Sequence, residues 1–448
     1  MTEYADARPT KRFFLDMITR DISMEDSILD LIDNSIDSFV RTHELKLTSD
    51  DLLDGDQPFV HRANGGSHLG KISVTLTADE FSITDDTGGI SRDRAMNEVF
   101  RFGSEADRDV PSLGVYGIGL KRAIFKLGRL IDIESKTAKE GFTLELDTRE
   151  WLKVDDWTLP LNFVPGASNE ERPGTKIRIR GLHENVVARV KDGTAEARLA
   201  RWISLTYPFF LGRLVEIELN GVALKPNPIP VGGATFFDPS SEWFKVGGVS
   251  VTLLATVADR SQGEWTLDRA GWYIVCNGRV VVSADKTELT GWGVNTAQFV
   301  SKYRGFVGLA FFFAEDPIQL PWTTTKRGIN QESPVFLQAR NRMQLAAKPV
   351  LSFLNSFYPS DPEIDPTSRA LAEQVKPASV GQLVRNRTTT VFQVRETVPP
   401  PKTTVRVQYD AENDDLDRIR RCLRKPRMSA GKVGEHTFKH FLRTECPE

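Results

Sequence analysis

The sequence predicts an α+β protein with two main domains. An amphipathic helix near the N-terminus is followed by strand segments, a glycine-rich loop and a second helix, and this order favours helices packed on a sheet. A second series of strands begins after residue 205 and ends in a long helical segment. The length of 448 residues also exceeds that of one ordinary core.

Composition excludes several classes of protein. The 58 Lys and Arg residues nearly balance 61 Asp and Glu, so the net charge of -3 gives no global attraction for nucleic acid or membrane. The three cysteines, Cys276, Cys422 and Cys446, lack metal-ligand spacing and fit a reducing compartment. No apolar segment is long enough to span a bilayer. These observations predict a cytoplasmic protein without a membrane role.

The first predicted helix covers residues 23–40, with Ser23 as its N-cap and apolar residues at helical spacing. Four acids lie along one face at spacings of four, three and four, with Asn34 beside them: Asp26, Asp30, Asp33 and Asp37. Like charges at this spacing repel each other. The acidic face taken alone is therefore typical of a solvated surface.

Short strands and two glycine patterns follow this helix. The strands are predicted over residues 71–76, 81–84, 130–135, 142–146 and 176–180. One glycine pattern lies at 85–90, and the other, at 114–119, opens a predicted helix over 116–127. A turn or flexible loop explains each pattern alone as well as a phosphate-binding loop does. The chain contains no Walker A sequence, which excludes a P-loop.

The second domain is predicted over residues 206–361. Its strands are expected at 214–219, 249–257, 272–276, 279–282 and 306–313, before a helix at 334–357. Asn277-Gly278 between two of them is a strong hairpin signal. The tryptophans of this region are interpreted as packing residues.

The C-terminal part is predicted as a linker and a small tail. Residues 362–404 are rich in Pro, Ser and Thr, which is typical of an extended linker. The tail, 405–448, is expected to hold a strand over 405–409 and helices over 414–424 and 429–443. The first domain accordingly spans residues 1–205.

In their order and spacing, these segments resemble the GHKL ATPases: gyrase B, MutL, the ninety-kilodalton heat-shock chaperones, MORC proteins and histidine kinases. The resemblance extends over roughly the first 330 residues. It implies a Bergerat-type α/β sandwich that binds ATP and Mg²⁺, followed by a transducer-like α+β domain.

The resemblance assigns roles to individual residues of the first domain. Asp30 takes the place of the acid that activates water, and Asn34 that of the magnesium ligand. Asp85 would accept a hydrogen bond from the adenine amino group, and Gly89 would let the base approach. The other implied nucleotide-binding residues are Gly114, Gly117 and Gly119 in the phosphate loop, Lys121 just inside the next helix, and Thr175 near the adenine.

A transducer domain returns a lysine to the γ-phosphate, and the matching residue here is Lys326 in the loop 323–328. The alternative is an ordinary exposed loop lysine. Two positions differ from the commonest GHKL pattern. Asp30 stands where Glu is usual, which shortens the reach of the acid, and Asp86 and Thr87 replace the commoner Asn and Gly.

The resemblance implies an ATP hydrolase that acts as a nucleotide-gated dimerising switch or clamp, closest in layout to MORC-like or stand-alone bacterial proteins. We expect an ATP-dependent homodimer with an unidentified protein partner. A histidine kinase is not expected, because no His precedes the first helix. Asp30 leaves open an ATP-binding regulatory module without significant hydrolysis.

A second alternative is a DNA-associated protein, because the tail resembles a ribbon-helix-helix element. Its basic cluster consists of Arg418, Arg420, Arg421, Arg424, Lys425 and Arg427. Solvated helix charges explain this cluster equally well.

Overall fold

The computed structural model describes residues 9–54, 68–103, 112–114, 117–168, 171–260, 263–357, 374–384, 388–395, 407–408 and 410–446. It divides into two compact units, Met1–Glu396 and Thr397–Glu448. The larger unit has a mixed α+β fold with two main sheets, which confirms the predicted fold class.

Two helices open the chain, α1 (Lys11–Arg20) and α2 (Met24–Thr42). Ser23 caps α2 as predicted, and its hydroxyl accepts a hydrogen bond from the backbone N–H of Asp26 at 3.1 Å. The Asp26 carboxylate accepts from the Ser23 backbone in return, which completes a capping box. The apolar side of α2 lies in the core, where Ile28 and Ile32 are fully buried.

The first sheet contains eight strands in the order β5-β4-β3-β6-β2-β1-β7-β8. They are β1 (Gly70–Leu76), β2 (Glu80–Asp85), β3 (Gly128–Lys136), β4 (Glu140–Asp147), β5 (Asn162–Pro165), β6 (Gly174–Leu182), β7 (Val215–Leu219) and β8 (Val222–Ala223). The five strands predicted before residue 205 are confirmed. The sheet continues beyond the predicted boundary after residue 205, because β7 pairs in parallel with β1.

Helices cover one side of this sheet and its ends. They are α3 (Ser49–Leu53), α4 (Arg92–Arg94), α5 (Gly119–Leu127), α6 (Thr148–Trp151), α7 (Glu184–Lys191) and α8 (Ala195–Thr206), with a π-helical turn (Ala95–Val99) directly after α4. Helix α2 packs against α5 and β1, and α5 packs against β3 and β6. Alternate strand residues such as Phe81 and Ile83 are buried beneath them, as period-2 side-chain alternation requires.

The second sheet has the order β11-β12-β15-β13-β14. Its region contains β9 (Gly232–Gly233), β10 (Phe237–Asp238), β11 (Ser240–Val246), β12 (Val249–Val257), β13 (Gly271–Cys276), β14 (Arg279–Asp285), β15 (Phe306–Phe313) and the long helix α9 (Pro334–Phe357). The predicted hairpin joins β13 and β14. Asn277 and Gly278 both have positive φ, 47° and 84°, as a type I′ turn requires.

Part of the predicted linker packs on the second sheet. Strand β16 (Lys376–Pro377) pairs with β9, and β17 (Gln393–Val394) pairs with β10. The short helix α10 (Val380–Leu383) lies between them in sequence. Phe392 is buried with its ring centroid 5.2 Å from that of Phe237. Burial of these apolar residues means that the described part of 362–404 is not an extended spacer.

The C-terminal unit contains α11 (Asn413–Cys422) and α12 (Ala430–Glu445), which correspond to the two predicted helices. The predicted strand at 405–409 lies outside the described residues except for 407–408, which belong to no strand. No helix in the described parts of the chain combines the length and hydrophobicity needed to cross a membrane.

Candidate functional site

A cavity of about 370 Å³ lies between α2, α5 and the first sheet. It gathers residues from distant parts of the sequence. Of the site residues predicted from the sequence, the following line it: Asp30, Asn34, Asp85, Gly114, Gly117, Gly119, Lys121, Thr175 and Lys326. Gly89 is not among the lining residues.

One end of the cavity is built around Asp85, the last residue of β2. Its Oδ2 accepts a hydrogen bond from the Ser35 hydroxyl at 2.7 Å, and its Oδ1 accepts from the Thr87 hydroxyl at 2.7 Å. The backbone N–H of Thr175 also donates to Oδ1, at 3.2 Å. Burial raises the pKa of Asp85, although these hydrogen bonds oppose the shift.

Apolar side chains cover the face of the sheet beside this carboxylate. Ile83, Ile133 and Ile177 from three neighbouring strands line the cavity beside it. A buried acceptor beside an apolar surface suits a flat heterocycle that donates an amino hydrogen. Thr87, which departs from the commoner glycine, is fully buried and supports the carboxylate directly.

Gly89 fixes the backbone behind this end of the cavity. Its φ is +71°, and a Cβ atom there would lie 2.1 Å from the carbonyl oxygen of Lys136. Only glycine can fill this position without displacing β3. Its effect on the cavity is therefore exerted through the backbone.

The glycine loop forms a second wall. The Asp37 carboxylate accepts hydrogen bonds from the backbone N–H groups of Leu113 at 2.8 Å and Gly114 at 2.6 Å. Residues 115–116 lie outside the described part of the chain. Helix α5 starts at Gly119 with no side-chain cap on its first N–H groups. A helix start of this kind presents N–H donors to an anion.

Lys121 connects α5 to the segment that follows the π-helical turn. Its Nζ donates to the backbone carbonyls of Val99 at 2.7 Å and Arg101 at 2.8 Å. The side chain is 1% exposed, and burial lowers its pKa to about 8. In the structure the Lys121 ammonium is therefore hydrogen-bonded to backbone carbonyls at the edge of the cavity. A contact between Lys121 and a nucleotide stays a prediction.

Asp30, five residues before Ser35 on α2, is buried in an ion pair. Its Oδ2 is 2.6 Å from Nη2 of Arg122, and its Oδ1 is 3.7 Å from Nζ of Lys326. Asn34, one turn further along α2, is half-buried and lines the same cavity. No cluster of three or more His, Cys, Asp or Glu side chains suited to a metal occurs in the described ranges.

Asp33 anchors the loop 323–328 to α2. Its two oxygens lie 2.7 Å from Nζ of Lys326 and 3.1 Å from Nε of Arg279, and the Tyr207 hydroxyl donates to it at 2.7 Å. Burial works against the charged carboxylate, yet Arg279 and Lys326 hold the pKa of Asp33 below its usual range. Lys326 has a φ of 54°, a conformation that non-glycine residues rarely adopt.

The acidic face of α2 is therefore buried instead of solvated. Its outermost acid, Asp26, pairs with Arg327 at 2.8 Å, and the Arg327 guanidinium lies 3.6 Å from the ring centre of Trp202. Sequence reasoning did not identify Arg122, Arg279 and Tyr207 as members of this cluster. The adjacency of Arg122 to Lys121, directly after the glycine loop, is the signal that could have pointed to it.

Comparison with known proteins bears on the same region. Residues 22–165 match the family model described as "Histidine kinase-, DNA gyrase B-, and HSP90-like ATPase". The match runs from just before α2 to the end of β5 and includes Asp30, Asn34, Asp85 and the glycine loop. No curated protein matched the sequence.

Proposed function

We propose that this chain, whose residues 22–165 form an ATPase module of the GHKL superfamily, is an ATP- and Mg²⁺-dependent ATPase that acts as a nucleotide-gated dimerising switch. One observation carries the proposal. Residues that the sequence motifs single out, from Asp30 to Lys326, converge on one cavity with a buried acceptor at one end and a glycine loop with cations at the other.

The lining residues suit ATP in a single orientation. The Asp85 carboxylate would accept the adenine amino hydrogen beside the isoleucine surface. The N–H groups at the start of α5 would bind phosphate oxygens. Asn34 supplies a side-chain oxygen between these ends, and magnesium in nucleotide sites is held by few protein oxygens in addition to the phosphates.

Hydrolysis would take place at the Asp30 end. Asp30 would accept a proton from water as the water oxygen bonds to the γ-phosphorus and the bond to the β,γ-bridging oxygen breaks, which releases ADP and phosphate. Lys326 would stabilise negative charge on the transferring group, since its ammonium already lies 3.7 Å from the Asp30 carboxylate. Magnesium would supply further charge neutralisation.

The dimerising part of the proposal rests on exposed apolar side chains of α1 and of the π-helical turn. Helix α1 exposes Phe13 and Met17, which are 62% and 51% accessible, and Met96 in the π-helical turn is 59% accessible. Exposed large apolar side chains of this kind suit a contact with a second copy. Lys121 ties the end of the π-helical turn, at Val99, to α5.

Two measurements on the full chain test this function. With Mg²⁺ and ATP, phosphate release should be measurable and should stop in Asp30→Ala, while nucleotide binding persists. Light scattering should show a dimer with the β,γ-imido analogue of ATP and a monomer with ADP. A single mass under all nucleotide conditions would overturn the switch, and absence of nucleotide binding would overturn the whole assignment.

An ATP-binding regulatory module without significant turnover is the second candidate. The pairing of Asp30 with Arg122 favours it, because Oδ2 of the shorter acid is used by a guanidinium. Tight ATP binding with no phosphate release in the wild type would select this candidate.

DNA association through the tail remains a third proposal. The basic side chains Arg418, Arg421, Arg424, Lys425 and Arg427 are exposed on or just after α11. Binding of a DNA duplex that weakens with added salt, and that disappears when residues 397–448 are deleted, would support it.

A further inference from the structure

Arg122 lies next to the proposed activating acid, in the first turn of α5. Its side chain is 6% exposed, and Nη2 donates to Oδ2 of Asp30 at 2.6 Å. It lines the same cavity as Gly117 and Lys326. The first residue of α5 lies against the same carboxylate, since a Cβ on Gly119 would lie 3.5 Å from Cγ of Asp30. Arg122 is thus placed where the terminal phosphate of a nucleotide would arrive.

The guanidinium has donors that the described residues do not satisfy. Besides Asp30, Nη2 is within 3.5 Å of the backbone carbonyl of Thr324, at the limit of a hydrogen bond. Nε is buried and has no hydrogen-bond partner anywhere in the described ranges. A guanidinium presents five N–H donors in a fixed fork that matches carboxylate and phosphate oxygens. The guanidinium can therefore bind an additional anionic acceptor.

The charges at this end also favour an incoming anion. Three buried cations, Arg122, Arg279 and Lys326, share two buried carboxylates, Asp30 and Asp33. The next acid along α2 is engaged by backbone N–H groups of the glycine loop. Lys326 also interacts electrostatically with the buried Asp37. Because Arg122 and Lys326 both contact Asp30, an anion that bound Arg122 would leave Asp30 with a cation beside it.

We infer that Arg122 is a ligand of the terminal phosphate of a bound nucleoside triphosphate, and that it binds this group in exchange for Asp30. This inference rests on the proposed function and identifies Arg122 as the residue that distinguishes a triphosphate from a diphosphate. The exchange frees Oδ2 of Asp30 to accept a proton from the attacking water. A diphosphate offers no terminal group at this position, so with ADP the Arg122–Asp30 pair persists.

The exchange predicts opposite effects for its two partners. Binding is measured by calorimetry of the full chain with Mg²⁺. Arg122→Gln should lower the affinity for the β,γ-imido analogue of ATP by about tenfold or more, because charge-assisted hydrogen bonds are lost. ADP affinity should change by less than about threefold. Asp30→Asn should raise the affinity for the analogue several-fold, because the Arg122 guanidinium no longer has to separate from a carboxylate. This gain should disappear in the double variant.

The exposed pair Arg180–Asp132, at 2.8 Å in the same sheet, provides matched controls, and Arg180→Gln and Asp132→Asn should leave both affinities unchanged. If wild type binds neither nucleotide, the proposed function fails. If wild type binds both and Arg122→Gln weakens them equally or not at all, only the inference fails. The double variant removes both charges of this ion pair together, so neither is left without the other, and it guards against misfolding. Equal analogue affinities of Asp30→Asn and the double variant would also overturn the inference.

Discussion

Nζ of Lys326 lies 2.7 Å from Oδ2 of Asp33, although 293 positions separate the two residues in the chain. Arg279 binds the other oxygen of the same carboxylate and donates to the backbone carbonyl of Lys326 at 2.6 Å. The loop 323–328 is therefore held against α2 by charge and by its own backbone. An anion bound near Asp30 would meet the Lys326 ammonium without rearrangement of the loop.

Lys326→Met should weaken binding of the β,γ-imido analogue of ATP more than binding of ADP. Only the triphosphate carries the γ-phosphate that the Lys326 ammonium would contact. Turnover should slow by ~10²-fold or more, as for other preorganised charges in a catalytic site. Asp33 keeps Arg279 as a partner, so the fold should survive. Calorimetry and phosphate-release rates measure these effects.

The control for this change must be chosen from the structure. Arg327 is unsuitable, because it pairs with Asp26 and packs over Trp202, so its removal would disturb the loop itself. Lys348→Met, an exposed position on α9, makes the same chemical change away from the cavity. Equal effects of Lys326→Met and Lys348→Met on affinity and turnover would contradict the proposal that the loop 323–328 supplies a lysine to the γ-phosphate.

Gly89→Ala should destabilise the fold and weaken adenine-nucleotide binding. Two causes act together: φ is +71°, and the new Cβ would meet the Lys136 carbonyl oxygen at 2.1 Å. Gly103 has the same φ of +71° with nothing within 4 Å, so Gly103→Ala carries the backbone strain alone. That strain amounts to about 1–2 kcal/mol. Thermal melts should show a clearly larger loss for Gly89→Ala, and equal losses would contradict the packing described for the loop.

Asp37 should make stability depend on pH. Burial raises its pKa to about 6, although the N–H groups of Leu113 and Gly114 oppose the shift. The folded protein therefore holds this proton more tightly than the unfolded chain, whose carboxyl titrates near ~3.9. The resulting stabilisation is complete below the unfolded pKa and is lost as pH rises through about 6.

Asp37→Asn removes this titration, so the unfolding free energy of the variant relative to wild type should rise between pH 4 and pH 7.5. Denaturant melts of both proteins at several pH values measure the difference. A difference that stays constant with pH would show that Asp37 titrates normally in the folded protein.

Lys121→Met separates two roles for this residue. If its ammonium chiefly holds the carbonyls of Val99 and Arg101, amide exchange in residues 95–103 should accelerate while ADP affinity changes little. Lys126→Met on the same helix is the control, because that lysine donates to Thr19 instead. A large loss of ADP affinity in Lys121→Met, with exchange unchanged, would favour direct contact with the nucleotide.

Local signals explain why much of the fold was predictable. Helix α2 and its Ser23 cap follow from periodicity and capping chemistry, and the Asn277-Gly278 turn follows from the positive φ that both residues tolerate. The parallel pairing of β7 with β1 has no local signature, since strands about 140 residues apart meet through the tertiary fold. The return of residues 374–395 to the second sheet was missed for the same reason.

The site, like the fold, has some features that the sequence predicts and others that depend on the tertiary structure. Motif spacing singled out Asp30, Asp85 and the glycine loop, but it could not show that Asp33 is charged and buried, because its partners lie far away in sequence. The same holds for Arg122, whose partner Asp30 is 92 positions away. An acidic helix face in isolation predicts solvent exposure. The neighbouring motifs argue against exposure, and the structure identifies the cations that pair with the buried acids.

The most direct test of the ATP site is calorimetric titration of Asp85→Asn with ATP. Four protein donors converge on the Asp85 carboxylate, and an amide keeps one acceptor oxygen while adding an NH₂ group that faces donors. Lost or unpaired hydrogen bonds in such a buried site cost about 1–3 kcal/mol each. Asp132→Asn on β3 of the same sheet makes the same change at a surface ion pair. The account predicts that wild type and Asp132→Asn bind ATP alike and that Asp85→Asn, verified as folded by its thermal melt, does not bind; unchanged affinity in Asp85→Asn would contradict it.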